Sequence, residues 1–353
     1  FVRSARRFAP RTFCSFSVPR WTTTRYNSNH TGFQPKLSVI GVGGGGGNAV
    51  NHMIASGMEG VEFIVANTDV QALGQTLTPN RVRLGKELTK GLGAGAKPEI
   101  GQRAAEHDLQ RILELPSIKD ANMVFIAAGM GGGTGTGAAH VIAKGLQERG
   151  ILTVGVVTCP FNFEGPVRNR QALRGLAMLQ DSVDTLIVIQ NQRLLEIAAE
   201  GKNYTFAEAF KQADDVLTKG VRTITDLIVK PGLVNLDFGD VRTVLLSSKV
   251  DGKVGRSLMG TALASGDNRA VDAAIKATTN RLLDNQSLQG ARGILINISG
   301  GQDLSLVEIE EAANIIQEQA HPDAEIVWGA ANDDSLNGQL SVSVVACGLG
   351  VEQ

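Results

Sequence analysis

A chain of 353 residues is long enough for two ordinary domains, and its 42% apolar and 20% charged content places it with globular proteins, not with low-complexity or collagen-like chains. Its 34 basic and 35 acidic residues are unevenly spread: no acid precedes Glu59, whereas Arg3, Arg6, Arg7, Arg11, Arg20 and Arg25 crowd the opening segment. Without those six arginines 28 basic residues face 35 acidic ones, a net −7, which gives nucleic acid no electrostatic footing.

The Arg-rich, acid-free segment 1–35 reads as a mitochondrial transit peptide delivering the body to the matrix; a plastid address (stroma) and a basic cytosolic tail are the alternatives. Cys14, Cys159 and Cys347 are too scattered for a disulfide framework or a zinc site, and the five histidines show no metal-ligand spacing. Windows 37–58 and 121–143 approach membrane-spanning length, but glycine-rich segments with Asn or Thr at their centres exclude direct membrane insertion.

Short apolar runs rich in β-branched residues follow at 36–42, 61–68, 81–84, 122–128, 152–158 and 185–191, with helical patterning between most of them. Such alternation predicts an α/β fold: a Rossmann-like parallel sheet covered on both faces, spanning 36–204. From 205 to 232 the apolar residues Phe206, Phe210, Ala213, Leu217, Val221, Ile224 and Ile228 step by three or four, the mark of one long amphipathic helix. Thr205 and Glu208 have capping-box spacing at its start, and Pro231-Gly232 stops it. A smaller α+β domain with a mixed sheet is expected over 233–350, with strands at "VRTVLLSS", "ARGILINISGG", "AEIVWGAAN" and "LSVSVVACG", helices near 268–284 and 304–320, and a short tail at 351–353.

Two glycine-rich loops carry the chemistry. In "GVGGGGGN", Gly41, Gly43 and Gly46 satisfy G-x-G-x-x-G between a strand and a helix, and Asp69 follows the second strand, the pattern of a dinucleotide-binding dehydrogenase. The second loop, "AAGMGGGTGTGAA", sets Gly131 to Gly137 before another helix at the same carboxyl edge of a parallel sheet. Paired backbone N–H cradles, with the Thr134 and Thr136 hydroxyls in one of them, suit a polyphosphate better than a nicotinamide. No G-x-x-x-x-G-K-[ST] occurs, which excludes a Walker-type NTPase.

"GGGTGTG" is the tubulin signature loop, and "GVGGGGGN", "ANTD", "PFNFEG", "NLDFGDVRT" and "GARGILINISGG" fall in the order found in FtsZ, so from about Leu37 to Gly350 the chain resembles the tubulin/FtsZ superfamily, of a mitochondrial type. The resemblance implies a GTPase that assembles head to tail. It assigns Gly44, Gly45, Gly46 and Asn48, then Asn67, Thr68 and Asp69, then Gly129, Gly131, Gly132, Gly133, Thr134, Gly135 and Thr136 to GTP or GDP. Glu164 and Arg168 would stand near the ribose. Guanine's N1–H and N2–H₂ need oxygen acceptors, a role that falls to Asp215 with Asn191, and Phe210 would cover the base. Asn235, Asp237 and Asp240 would enter the next subunit's pocket and polarise the attacking water. Mg²⁺ would be held through the GTP phosphates, with no direct protein ligand.

The implied partners are other copies of the chain, a sister form and membrane adaptor proteins. Between "DVRTV" and "LMGTALASG" the segment is about six residues longer than the family's usual one, and Gly252 and Gly255 should interrupt a helix there. Two other functions stay open: a GTP-binding filament scaffold with little hydrolysis, and an NAD(P)-linked oxidoreductase.

Overall fold

The computed structural model describes residues 35–198, 205–230, 232, 236–250, 253–283 and 288–349. The segment before Pro35 expected to be a transit peptide, together with Asn235, Gly252 and the tail 351–353, lies outside the described residues.

The apolar runs become strands, the central ones buried on both faces. β1 (Leu37–Val42) leads directly into α1 (Gly43–Ala55), and β2 (Val61–Asn67) into the short α2 (Val70–Gly74). β3 (Asn80–Arg83), α3 (Lys86–Thr89), α4 (Pro98–Leu113) and α5 (Pro116–Lys119) precede β4 (Met123–Gly129), α6 (Thr134–Glu148), β5 (Leu152–Cys159), α7 (Pro166–Gln180) and β6 (Thr185–Gln190). Next come α8 (Asn191–Ala198), the long α9 (Phe206–Val229), α10 (Phe238–Leu246) and a two-rung hairpin of β7 (Lys249–Val250) and β8 (Lys253–Val254). The chain continues through β9 (Arg256–Ser265), α11 (Arg269–Thr278), β10 (Gly293–Gly300), α12 (Leu306–Gln319), β11 (Glu325–Asn332) and β12 (Gln339–Leu349).

Ten of these strands form one sheet in the order β11-β10-β12-β9-β6-β5-β4-β1-β2-β3. β1 to β6 are mutually parallel, so their carboxyl ends share one edge. β9 joins them parallel to β6 through two residue pairs, and β12 runs antiparallel between β9 and β10. The parallel and mixed sheets expected as parts of separate domains are thus continuous. On one face the core includes Ile187 and Met259 with residues of α1 and α9; on the other, Leu186 packs with α6 and α7, and Leu258 with α11 and α12.

α9 begins as its sequence predicts. The Thr205 hydroxyl accepts from Glu208 N–H at 3.3 Å while Glu208 Oε2 accepts from Thr205 N–H at 2.7 Å. At about 1.5 Å per residue its 24 residues span roughly 36 Å, enough to cross the sheet from edge to edge. It ends against the amino edge: a Cβ added to Gly60, just before β2, would lie 2.3 Å from Val229.

One expected strand is a helix. "VRTVLLSS" falls mostly in α10, where Val241, Val244 and Leu245 are buried at helical spacing and the Asp237 carboxylate, at the N-cap, accepts from Asp240 N–H at 2.8 Å. Its β-branched content suggested β-structure; the cap and the three-and-four periodicity decide otherwise. α10 also ends at the amino edge, where Thr185 Oγ1, at the start of β6, donates to Leu245 O at 2.6 Å. The lengthened segment forms the β7–β8 hairpin. It is anchored by Lys249 Nζ on Asp184 Oδ1 at 2.6 Å and by the Gln180 side chain on Val254 O.

Candidate functional site

The two glycine loops meet because β1 and β4 are neighbours, with Val42 opposite Ala128. A Cβ on Gly43 would lie 2.8 Å from Gly135 N, and one on Gly45 3.3 Å from Gly129. The five glycines divide the work. Gly43 takes a positive φ of 74° to turn from strand into helix. Gly46 is excluded from larger residues by Ala127 O, 2.2 Å from its would-be Cβ. Gly44 has open space beyond it, which leaves the backbone approachable.

Neither α1 nor α6 has a side-chain cap, so both present N–H groups with no intrahelical partner at one end of a common cleft. This cleft encloses about 600 Å³ at the carboxyl edge. Of the predicted residues it is lined by Gly44, Gly45, Asn48, Asn67, Asp69, Gly129, Gly132, Gly133, Thr134, Gly135, Glu164, Arg168, Asn191 and Phe210.

Four predicted contacts stand behind the wall instead. Gly46 packs on β4; Thr68 Oγ1 lies 2.6 Å from Thr134 Oγ1, holding that hydroxyl in place; and Gly131 N–H donates to Thr136 Oγ1 at 2.8 Å, which spends the second hydroxyl on shaping its own loop. Asp69 lines the cleft, but its Oδ1 caps α2 by accepting from Gln71 N–H at 2.8 Å and Ala72 N–H at 3.3 Å. That occupation weakens the ribose-binding role a dehydrogenase would give it.

The opposite end of the cleft suits a purine. Phe210 stands edge-on to the buried Phe161, ring centroids 5.2 Å apart, and Phe161 stacks on Phe163 at 5.0 Å. Glu164 binds Arg168 at 2.8 Å and accepts from Phe161 N–H at 2.8 Å, which fixes the loop between β5 and α7. Asn191 Oδ1 is buried without a hydrogen-bond partner, a costly state that a ligand donor would relieve.

Asp214, not the expected Asp215, lines the cleft. Residues four apart share a helix face, so Asp214 lies one turn beyond Phe210, whereas Asp215 is rotated about 100° further. Asp215 instead pairs with Lys219 at 3.0 Å and approaches His52 Nε2 at 3.9 Å. Burial pushes the Asp214 carboxyl up to about 7.

The sequence reading also missed a third loop, Leu92 to Ala96 of "GLGAGA", which borders the cleft. It follows β3 at the same edge, with positive φ at Gly91, Gly93, Gly95 and even Ala96 (58°). The alternate glycines after a strand were its available signal.

Asp237 and Asp240 are not in this cleft. They open α10 at the amino edge. Asp237 is engaged as the cap, and among the described residues no side-chain hydrogen bond or ion pair involves the exposed Asp240 carboxylate. Burial pushes the Cys159 thiol up to about 11 and the Cys347 thiol to about 12, so neither offers a thiolate nucleophile. Among the described residues no group of three or more His, Cys, Asp or Glu is placed to hold a metal, and no helix is long and apolar enough to cross a membrane.

A Rossmann-like sheet whose glycine loops and uncapped helix starts converge on one polar cleft defines an α/β protein of nucleotide-binding architecture. The chain belongs to the tubulin/FtsZ family. Residues 36–199 match "Tubulin/FtsZ family, GTPase domain", and residues 255–350 match "FtsZ family, C-terminal domain". "Cell division protein FtsZ" of Magnetospirillum gryphiswaldense is 55% identical over 92% of this chain and 56% of its own length; that of Caulobacter vibrioides is 56% identical over 95% and 62%. The chain therefore spans about three-fifths of these curated relatives. Among solved structures, "FtsZ dimer, empty (M. jannaschii)" superposes with a TM-score of 0.83 at 39% identity, covering 90% of this chain and 89% of that one. Both of these curated relatives are bacterial, and neither supports the mitochondrial type expected from the sequence.

Proposed function

We propose that this protein binds GTP, assembles head to tail with copies of itself, and hydrolyses GTP at the junction between subunits, in the service of division inside mitochondria. One observation carries the reading. The cleft lies at the carboxyl edge of the sheet and the α10 acids at the amino edge, so Asp240 cannot serve its own cleft and is free to serve a neighbour's.

In this reading the α1 and α6 N-termini bind the phosphates, Phe210 covers the base, and Asn191 Oδ1 and Asp214 accept from the guanine N1–H and N2–H₂. Asp240 of the adjoining subunit, together with Asn235, orients water toward the γ-phosphate, and Asp237 holds the first turn of α10 in register. Mg²⁺ held by the phosphate oxygens would neutralise charge, allowing carboxylates to approach. The relatives' name, "Cell division protein FtsZ", supports the division role. The acid-free arginine-rich leader supports the mitochondrion, and a sister form and membrane adaptors complete the proposed set of partners.

The test is GTP turnover per chain against protein concentration, followed alongside light scattering. Turnover should rise cooperatively as polymer appears. A flat rate without polymer overturns the proposal, and polymer without turnover assigns the chain to a scaffold, a reading favoured only by the extra β7–β8 hairpin behind α10.

Asp214 adds a pH dependence. Because its folded pKa, about 7, lies above the ordinary 3.8, the unliganded fold loses stability as pH rises from about 4 through 7 and is steady above. Guanine binding runs the other way, since the ionised form is the better acceptor for N1–H and N2–H₂. GDP affinity should therefore fall as pH drops below about 7, and Asp214→Asn, which keeps a carbonyl acceptor and cannot titrate, should flatten that profile. Titration calorimetry on both proteins would decide it; identical slopes would remove Asp214 from base recognition.

A further inference from the structure

α7 and α12 lie on the same face of the sheet. Both are crossovers between neighbouring parallel strands, β5 to β6 and β10 to β11, running the same way along the strand order. The pleat agrees: Leu186 and Arg256 are partners in register, so Leu258, two residues beyond Arg256, lies on the same face of the sheet as Leu186, the one packing beneath α11 and α12 and the other beneath α6 and α7.

Their outer surfaces are opposite in charge and alike in apolar content. α7 exposes Arg170 and Arg174 beside Leu173 (63% exposed) and Met178, and carries no acid. α12 exposes Glu310, Glu311 and Glu318 beside Leu306 (84% exposed) and Val307, and carries no base. Alongside α12 runs an apolar groove of about 520 Å³, walled by Leu304, Leu306, Ile309, Ala313 and Trp328 with Glu310 at its lip. Among the described residues none of these five charges is in an ion pair. On a body of net −7, the α12 groove offers what the α7 stripe lacks, exposed acids beside apolar side chains.

We propose that this face is an interface between two copies of the chain, in which the α7 stripe of each copy, Arg170, Leu173 and Arg174, seats on the α12 groove of the other. A two-fold axis satisfies both contacts at once, because the two patches share one face. The pairing is lateral to the sheet edges that hold the cleft and the α10 acids, and it does not depend on the nucleotide reading.

The test is disulfide trapping between a Leu173→Cys chain and a Leu306→Cys chain in the unpolymerised protein without nucleotide, with exposed Leu77→Cys paired with Leu306→Cys as the control. The mixed pair should crosslink well above the control and less as salt rises. Arg170→Glu with Arg174→Glu should cut the yield about tenfold by setting like charges together, and adding Glu310→Arg with Glu311→Arg should restore it. All these sites are exposed, and unchanged thermal melting would confirm intact folds. A yield equal to the control, or one indifferent to charge reversal, overturns the pairing; so does capture of the α7 face by anionic vesicles with crosslinking at control level, which would assign the stripe to a lipid surface.

Discussion

An Asp240→Ala chain should bind GTP as tightly as the unaltered protein, still assemble, and hydrolyse it about 10³-fold more slowly. The size follows from the role: a group supplied by a neighbour at a phosphoryl-transfer site contributes about 10³ to 10⁵ in rate where it has been measured. Asp240 is exposed at the amino edge, away from its own cleft, so its removal leaves nucleotide binding untouched. Asp237→Ala should behave differently. Its carboxylate caps α10, so the variant should lose about 1 kcal/mol of stability, together with activity through a misplaced first turn. Single-turnover GTP hydrolysis and thermal melting on the two variants separate the roles. Near-normal hydrolysis by Asp240→Ala would remove that acid from the reaction.

Gly137→Ala should destabilise the fold by about 3 kcal/mol. An added Cβ would sit 1.9 Å from Pro98 O and 2.8 Å from Gln102 N, both backbone atoms of α4, so α4 and α6 would have to part. The start of α6 forms the cleft wall, and nucleotide affinity should fall with stability. Gly44→Ala is the contrasting case. Its Cβ would meet nothing within 4 Å, so the urea midpoint should hold while the methyl group intrudes on the cleft and weakens binding. Equal midpoints for the two variants would show that α4 and α6 separate more readily than their contact implies.

Period carried much of the fold into the sequence. Most strands of the parallel sheet are apolar runs, and α9 announces its start with Thr205 and Glu208, because those signals are local. α10 carries opposed signals, since Val241, Thr243 and Val244 favour a strand while Asp237 and Asp240, three apart, suit a helix start, and the Asp237 cap decides for the helix. In the site, glycine spacing marked both phosphate loops, yet could not say that Gly46 and Thr136 shape the loops from behind. Asp214 and Asp215 are adjacent on one helix. Only the facing element decides which is turned inward, and Phe210, four residues back, was the clue. Leu92 to Ala96 went unread because the one-turn α3 parts it from the short edge strand β3, so no apolar run leads straight into its glycines.

The placement of cleft and acids on opposite edges of the sheet has an arithmetic consequence for assembly. On the proposed head-to-tail assembly, a row of n chains would contain only n − 1 finished reaction centres, since one terminal chain would offer acids to no one and the chain at the other terminus would hold a triphosphate that no neighbour completes. A lone chain would then have none and a pair one. The terminus with the unfinished cleft would keep its fuel while the interior spends it, and the direction of six parallel strands would give the row a chemical head and tail.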